Sequence, residues 1–210
     1  MKLKNLEMML QRLSGFSKPR AVLEQYQTPA PLAARLLFHA LMKGDIEGKT
    51  VCDLGCGTGI LAIGAALLGA ASVRGIEIDK DAIRIAQENA QLLSVDVEFI
   101  NADINTAVGG IAPCDTVVMN PPFGAQKQNV HADRPFIDAA LALAPKTYGI
   151  FNAGSTPFVE AYIGDKGRVV GKISGTFTIK RTFAFHTRDA QEIPVDILMI
   201  VQNEIVRSAA

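Results

Sequence analysis

The stretch 115-DTVVMNPPFG-124 runs from an apolar strand pattern straight into Asn120, Pro121, Pro122 and Phe123. A residue that precedes proline is pushed out of the helical region into extended backbone. Asn120 and Pro121 both precede a proline, so their carbonyl directions are largely fixed before any ligand arrives. The Asn120 side-chain oxygen and the Pro121 carbonyl can each accept one hydrogen of an –NH2 group. Holding both hydrogens draws the nitrogen toward tetrahedral geometry and aims its lone pair at an electrophilic carbon. Phe123 offers a face on which a flat base can stack, worth roughly 1–3 kcal/mol. The chemistry such a corner suits is methyl transfer to an exocyclic amine. The alternative is a plain Pro-Pro turn beside a core phenylalanine.

A second constellation precedes it. In 51-VCDLGCGTGILA-62 a strand, a glycine-rich turn and a helix follow one another. Glycines allow a sharp turn and let a ligand approach the main chain. Gly57, Gly59 and Ala62 satisfy the G-x-G-x-x-A form of the nicotinamide fingerprint, with Glu77 placed to hold ribose hydroxyls. Asp53 points elsewhere, because a carboxylate before the turn opposes an anionic pyrophosphate and tolerates a cation. S-adenosylmethionine carries an ammonium and a sulfonium. Asp103 follows the third strand, where a carboxylate can accept the exocyclic amine of a cofactor adenine. Ile78 and Ile104 could sandwich that ring. Any one of Asp53, Glu77 and Asp103 alone reads as a cap or turn residue. All three at successive strand ends favour a cofactor site, since open α/β sheets bind ligands at that edge.

The elements that position these residues can be read from periodicity. Leu3, Leu6, Met9, Leu10 and Leu13 have helical spacing. Thr28 as N-cap and Pro29 as first helical residue open a helix through 30-APLAARLLFHALM-42. Strands are expected at 50–54, 72–78, 95–100, 115–119 and 146–152, with helices at 60–71, 80–93, 134–144 and 155–163 between and after them. That alternation implies a parallel sheet covered on both faces. Residues 168–179 and 193–202 read as a long antiparallel pair at one edge. The chain is expected to be one domain, with a helical extension at 1–45 and an α/β core at 46–210. In such a sheet the first and fourth strands share one crevice, so the glycine turn should face the Asn120 corner.

Composition sets the outer limits. The 210 residues are 49% apolar and 20% charged with zero net charge, so no global basic field marks a nucleic-acid partner. Charge is nevertheless segregated. Lys2, Lys4, Arg12, Lys18 and Arg20 face only Glu7 in the first twenty residues. Lys166, Arg168, Lys172, Lys180, Arg181 and Arg188 form an acid-free run beside 183-FAFH-186. Two basic ends flanking a crevice suit a nucleic-acid backbone, and the aromatics suit a stacked base; a solvated basic face is the alternative. Cys52, Cys56 and Cys114 form no C-x-x-C pair and read as packed thiols rather than a disulfide or zinc framework. His39 and His131 read as incidental. No targeting or membrane-spanning pattern is evident, and a cytoplasmic location is expected.

Together, 53-DLGCGTG-59 and 120-NPPFG-124 resemble the class I S-adenosylmethionine-dependent amino-methyltransferases. With 23-LEQYQTP-29, and with 183-FAFH-186 followed by 194-PVDI-197, the chain resembles the methyltransferase-like rRNA adenine-N6 methyltransferases of archaea and eukaryotes over nearly its whole length. The resemblance implies a doubly wound, Rossmann-like α/β fold: a seven-stranded, mostly parallel sheet with an antiparallel edge pair, preceded by N-terminal helices. It implies S-adenosylmethionine as cofactor, with Gln25 and Thr28 lying over it and Gly55, Thr58 and Ile60 at its methionine end. Glu77 would hold the ribose, Asp103 and Ile104 the adenine, and Asn120 to Phe123 would be the catalytic motif. The substrate implied is an unstacked adenine in RNA, most simply small-subunit ribosomal RNA. A small zinc-binding activator subunit would add its strand at the Val95 to Ile100 edge. The segment 186-HTRDAQEIP-194 departs from the eukaryotic pattern in being less basic. A protein glutamine N5-methyltransferase, in which Tyr usually replaces the Phe, and a DNA adenine-N6 methyltransferase are the alternatives.

Overall fold

The computed structural model describes residues 1–124, 132–180 and 190–203. Seven strands, β1 (Thr50–Leu54), β2 (Ser72–Glu77), β3 (Glu98–Asn101), β4 (Thr116–Met119), β5 (Lys146–Asn152), β6 (Gly167–Lys180) and β7 (Ala190–Gln202), join one sheet in the order β3-β2-β1-β4-β5-β7-β6. The first five run parallel, while β7 is antiparallel to both β5 and β6. The described helices are α1 (Leu3–Leu10), α2 (Ala30–Met42), α3 (Ile60–Leu67), α4 (Lys80–Leu92), α5 (Ile104–Ala107), α6 (Arg134–Leu143) and α7 (Thr156–Ile163). None of them is long and apolar enough to cross a membrane.

Strand side chains alternate between two cores, as a period of two residues requires. On β7, Val195, Ile197 and Met199 pack toward α1, α2 and α3, while Leu198 and Ile200 join the core under α6 and α7. Val118 and Ile150 share the first core; Cys52, Val117 and Met119 share the second. Apolar burial on both faces is what lets short parallel strands persist. Cys52, Cys56 and Cys114 are buried free thiols, and the ring of His39 packs with Nε2 2.9 Å from Met199 Sδ.

Two expectations are corrected here. The third strand starts only at Glu98, because Val95 and Val97 turn inward against the first core instead of pairing. Helix α2 begins at Ala30 with Pro29 in the capping position, its carbonyl accepting from the backbone N–H groups of Leu32 and Ala33. Thr28 therefore caps nothing. The residues 183-FAFH-186, together with His131, Arg181 and Arg188, lie outside the described residues.

One feature goes beyond the expected edge pair. The β5–β7 ladder ends at Asn152 opposite Val195, whereas β6 and β7 stay paired as far as Lys180 opposite Ala190. The hairpin thus continues past the carboxyl edge of β5 as a two-stranded arm. Phe177, opposite Ile193, sits at its root.

Candidate active site

The order β2-β1-β4 puts the strand reversal at β1 and β4, so the turns after these two strands share one crevice. Asn120 follows Met119 at the end of β4. Its Nδ2 donates to Thr28 Oγ1 at 2.9 Å, which leaves Oδ1 buried with no hydrogen-bond partner among the described residues. A buried, unpaired carbonyl oxygen costs about 1–3 kcal/mol and calls for an explanation. Pro121 is buried beside it, and Asn120, Pro121, Pro122 and Phe123 all line the cavity. Phe123 is braced twice: Asn152 Nδ2 donates to its carbonyl at 3.1 Å, and Phe177 meets its ring edge-to-face, with centroids 5.3 Å apart and planes at 84°.

Across the crevice, the β1–α3 turn is held by carboxylates. Glu77 Oε2 accepts from Gly57 N and Oε1 from Asp79 N, each at 2.9 Å. Burial raises the Glu77 pKa, and these two N–H groups oppose the rise. Asp53 is 1% exposed; its Oδ2 accepts from Ala62 N at 2.9 Å while Oδ1 has no partner among the described residues. Burial, with a contribution from the Glu77 charge and against the Ala62 N–H, pushes Asp53 up to about 8. A carboxyl so placed gains from a cation brought beside it.

The N-terminal segment closes one side. Gln25 Nε2 donates to Asp79 Oδ2 at 2.8 Å and its Oε1 accepts from Arg20 N at 2.7 Å, so both ends of the amide are spent on anchoring the segment to the start of α4. Asn89 on α4 adds a second anchor. Its Oδ1 accepts from Ser14 N, and its Nδ2 donates to the carbonyls of Ser14 and Thr58, all at 2.9 Å. On the other side Asp103 caps α5 through Oδ1, which accepts from the Asn105 backbone. Ile78, 49% exposed, and buried Ile104 line the same chamber.

The resulting cavity measures about 280 Å³ and is lined by Gln25, Thr28, Asp53, Gly55, Gly57, Thr58, Ile60, Glu77, Ile78, Asp103 and Ile104 as well as the corner. Gly59 is the exception among the expected cofactor residues. It does not line the cavity: a methyl group added there would meet Ala86, Ile63 and Phe99 on the α4 side. Its φ of 89° opens α3, which is a backbone role. Lining residues that no sequence motif singled out as functional include Phe16, Asn105, Phe136 and Phe177. A methyl group added at Gly57 would lie 2.8 Å from Phe16 Cζ, and one at Gly55 2.8 Å from Phe136 Cε1, so both rings seat against the glycine turn. In the sequence Phe177 shows only as an apolar residue between Thr176 and Thr178, which marks an inward strand position and no more.

Several cations of the basic runs are matched by carboxylates that are remote in sequence. Arg20 lies 3.5 Å from Asp79 and 3.6 Å from Asp81, Lys166 3.7 Å from Asp138, and Lys172 3.9 Å from Asp196. The acid-free look of residues 166–188 is therefore partly a property of the linear sequence.

A glycine turn and an Asn-Pro-Pro-Phe corner facing one chamber at the carboxyl edge of a seven-stranded sheet define a class I methyltransferase. The chain belongs to the methyltransferase small domain family, whose sequence model matches residues 30–147. It is 36% identical over 204 residues to the Drosophila melanogaster protein named rRNA N(6)-adenosine-methyltransferase Mettl5, covering 93% of this chain and 94% of that one. To the Danio rerio protein of the corresponding name it is 34% identical, covering 94% and 98%. At this identity over nearly full length, it belongs to one family with them. A crystal structure of a Pyrococcus horikoshii protein superposes with a TM-score of 0.88 at 36% identity, covering 96% of this chain and 98% of that chain.

Proposed function

We propose that this methyltransferase uses S-adenosylmethionine to methylate N6 of an unstacked adenine in ribosomal RNA, that of the small subunit. The observation that carries the reading is Asn120 Oδ1, a buried acceptor with no partner among the described residues, at the end of β4 on an amide whose Nδ2 is bonded to Thr28. Full-length relatives named for rRNA N6-adenosine methylation support the choice of acceptor. The aromatic lining of Phe123 and Phe177 supports a planar base over a glutamine side chain.

The donor fits the residues present. Asp53 Oδ1, buried and unpaired, suits a cationic ligand, and Glu77 keeps acceptor capacity for hydroxyls after taking two N–H groups. Asp103 and Ile104, with Ile78 opposite, would hold the adenine end. Gly55, Gly57, Thr58 and Ile60 would approach the methionine end, and Gln25 and Thr28 close the wall made by the N-terminal segment. When bound, S-adenosylmethionine supplies an electrophilic methyl carbon on a sulfonium.

The chain's own contribution is orientation. Asn120 Oδ1 and the Pro121 carbonyl accept the two amine hydrogens of the acceptor, which localises the nitrogen lone pair. Positive charge developing on that nitrogen then faces two fixed acceptors. Phe123 holds the base plane. The adenine must leave its stack to reach this pocket. The outer edge of β3 ends the sheet and is where a zinc-binding activator would add a strand.

Asn120→Ala in the whole protein tests the site. Transfer to adenine-containing single-stranded RNA should fall by at least about 100-fold, with S-adenosylhomocysteine binding retained; an unchanged rate sinks the mechanism. Mapping N6-methyladenine in ribosomal RNA from cells lacking the protein tests the substrate, and persistence of every site would refute it.

A further inference from the structure

We infer that Phe177 is a positioning residue for the acceptor base: with Asn152 it clamps Phe123, so the C-terminal hairpin decides how the base is seated. The inference rests on the adenine reading above and adds residues that no sequence motif assigns.

Phe177 is 1% exposed, and its ring lies edge-on to Phe123 at 5.3 Å and 84°. An edge-to-face contact directs the positive rim of one ring at the negative face of the other, so it fixes a plane as well as filling space. The second point of the clamp is independent. Asn152 Nδ2 donates to the Phe123 carbonyl at 3.1 Å, which restrains the backbone under the ring. Both points come from one place in the fold. Asn152 ends β5, Ala153 N donates to the Pro194 carbonyl at 3.0 Å, and Phe177 stands at the root of the arm where β6 and β7 outrun β5.

Phe123 follows two prolines, which stiffen the backbone before it but leave its own χ1 and χ2 free. A half-buried phenylalanine with two free torsions is a poor stacking platform, because each binding event must stop its rotation. The clamp removes that freedom in advance. Adenine affinity therefore depends on Phe177, while affinity for the methyl donor, which the carboxyl ends of β1, β2 and β3 and the turns after them would hold, does not.

The experiment uses the whole protein, S-adenosylmethionine and a single-stranded RNA of mixed sequence containing adenines. Phe177→Leu should raise KM for the RNA about five- to tenfold, the worth of an aromatic pair, and leave kcat within about threefold. S-adenosylhomocysteine affinity should not change. Asn152→Ala should move KM the same way by a smaller factor. In a Phe123→Leu background, Phe177→Leu should have no further effect on KM, because its action passes through that ring. An unchanged KM, or an equal loss in both backgrounds, overturns the inference and makes Phe177 simply a core residue. If Phe177→Leu does not fold, Asn152→Ala with and without Phe123→Leu decides by the same criteria. A wild-type protein that methylates no RNA adenine refutes the functional reading itself, and this inference with it.

Discussion

Asn120 Nδ2 and Thr28 Oγ1 lie 2.9 Å apart although ninety-two positions separate them in the chain. In this arrangement the hydroxyl oxygen engages Nδ2, and Oδ1 is the end left without a partner among the described residues. With Nδ2 engaged, Oδ1 is left as an acceptor; with the amide reversed, a donor would confront the amine of the proposed reaction.

Thr28→Val keeps the branched shape and removes the oxygen. Methyl transfer should slow by about 10–100-fold, the scale of a misplaced catalytic group, while S-adenosylhomocysteine still binds. Thr28→Ser should recover most of the rate. Single-turnover kinetics on both variants test this, and equal rates for Val and Ser would contradict it.

Asp53 should make the free protein pH-sensitive. Its folded pKa of about 8 lies above the unfolded value near 3.9. The native state then holds the proton more tightly, so the associated stability is complete below about pH 4 and lost as pH rises toward 8. Tm should fall across that window, and Asp53→Asn should flatten part of the slope, buried Glu77 keeping the rest. A cation bound beside Asp53 favours its ionised form, so cofactor binding near pH 7 should release a fraction of a proton. Calorimetry in two buffers of different ionisation enthalpy measures that release, which Asp53→Asn should diminish.

Gly57 and Gly59 separate binding from folding. Both have positive φ, 53° and 89°, so alanine at either costs about 1–2 kcal/mol of backbone strain. At Gly57 the added methyl also displaces Phe16 in the cavity wall, and cofactor affinity should drop. At Gly59 it presses on Ala86 and Ile63, so Tm should fall with affinity intact. Thermal melts paired with S-adenosylhomocysteine titrations distinguish the two.

Asn89 is 2% exposed and ties α4 to both Ser14 and Thr58. Asn89→Ala strands those partners and should cost about 1–3 kcal/mol in denaturant unfolding. Loss of protection at the Ser14 amide in hydrogen exchange would trace the effect to this anchor.

What the sequence discloses depends on whether a signal is local. Lys146–Asn152 is found where it is expected, because a continuous apolar run bounded by turns has few other readings. The third strand is shorter than its alternation implies, since Val95 and Val97 satisfy the same pattern by packing into the core. Asp53, Glu77, Asp103 and Asn120 stand out because each lies at or just beyond the carboxyl end of a strand and shares that edge of the sheet. Thr28 is the instructive failure. Thr-Pro is a good helix start by itself, and nothing nearby reveals that its hydroxyl is taken by Asn120. Phe177 is hidden for a related reason: an inward residue on a strand shows its side of the sheet but not that the strand outruns its neighbour.

The braces on the Asn-Pro-Pro-Phe corner also have an order in time. The corner is made in mid-chain, but Thr28 precedes it while Asn152 and Phe177 are synthesised after it. A nascent polypeptide therefore carries the glycine turn and the Asn-Pro-Pro-Phe corner before it carries two of the residues that brace that corner. Because β7 also supplies Val195, Ile197, Leu198 and Ile200 to both cores, a chain cut short before the last hairpin would lose its sheet together with the clamp, so folding and completion of the corner are one event in synthesis.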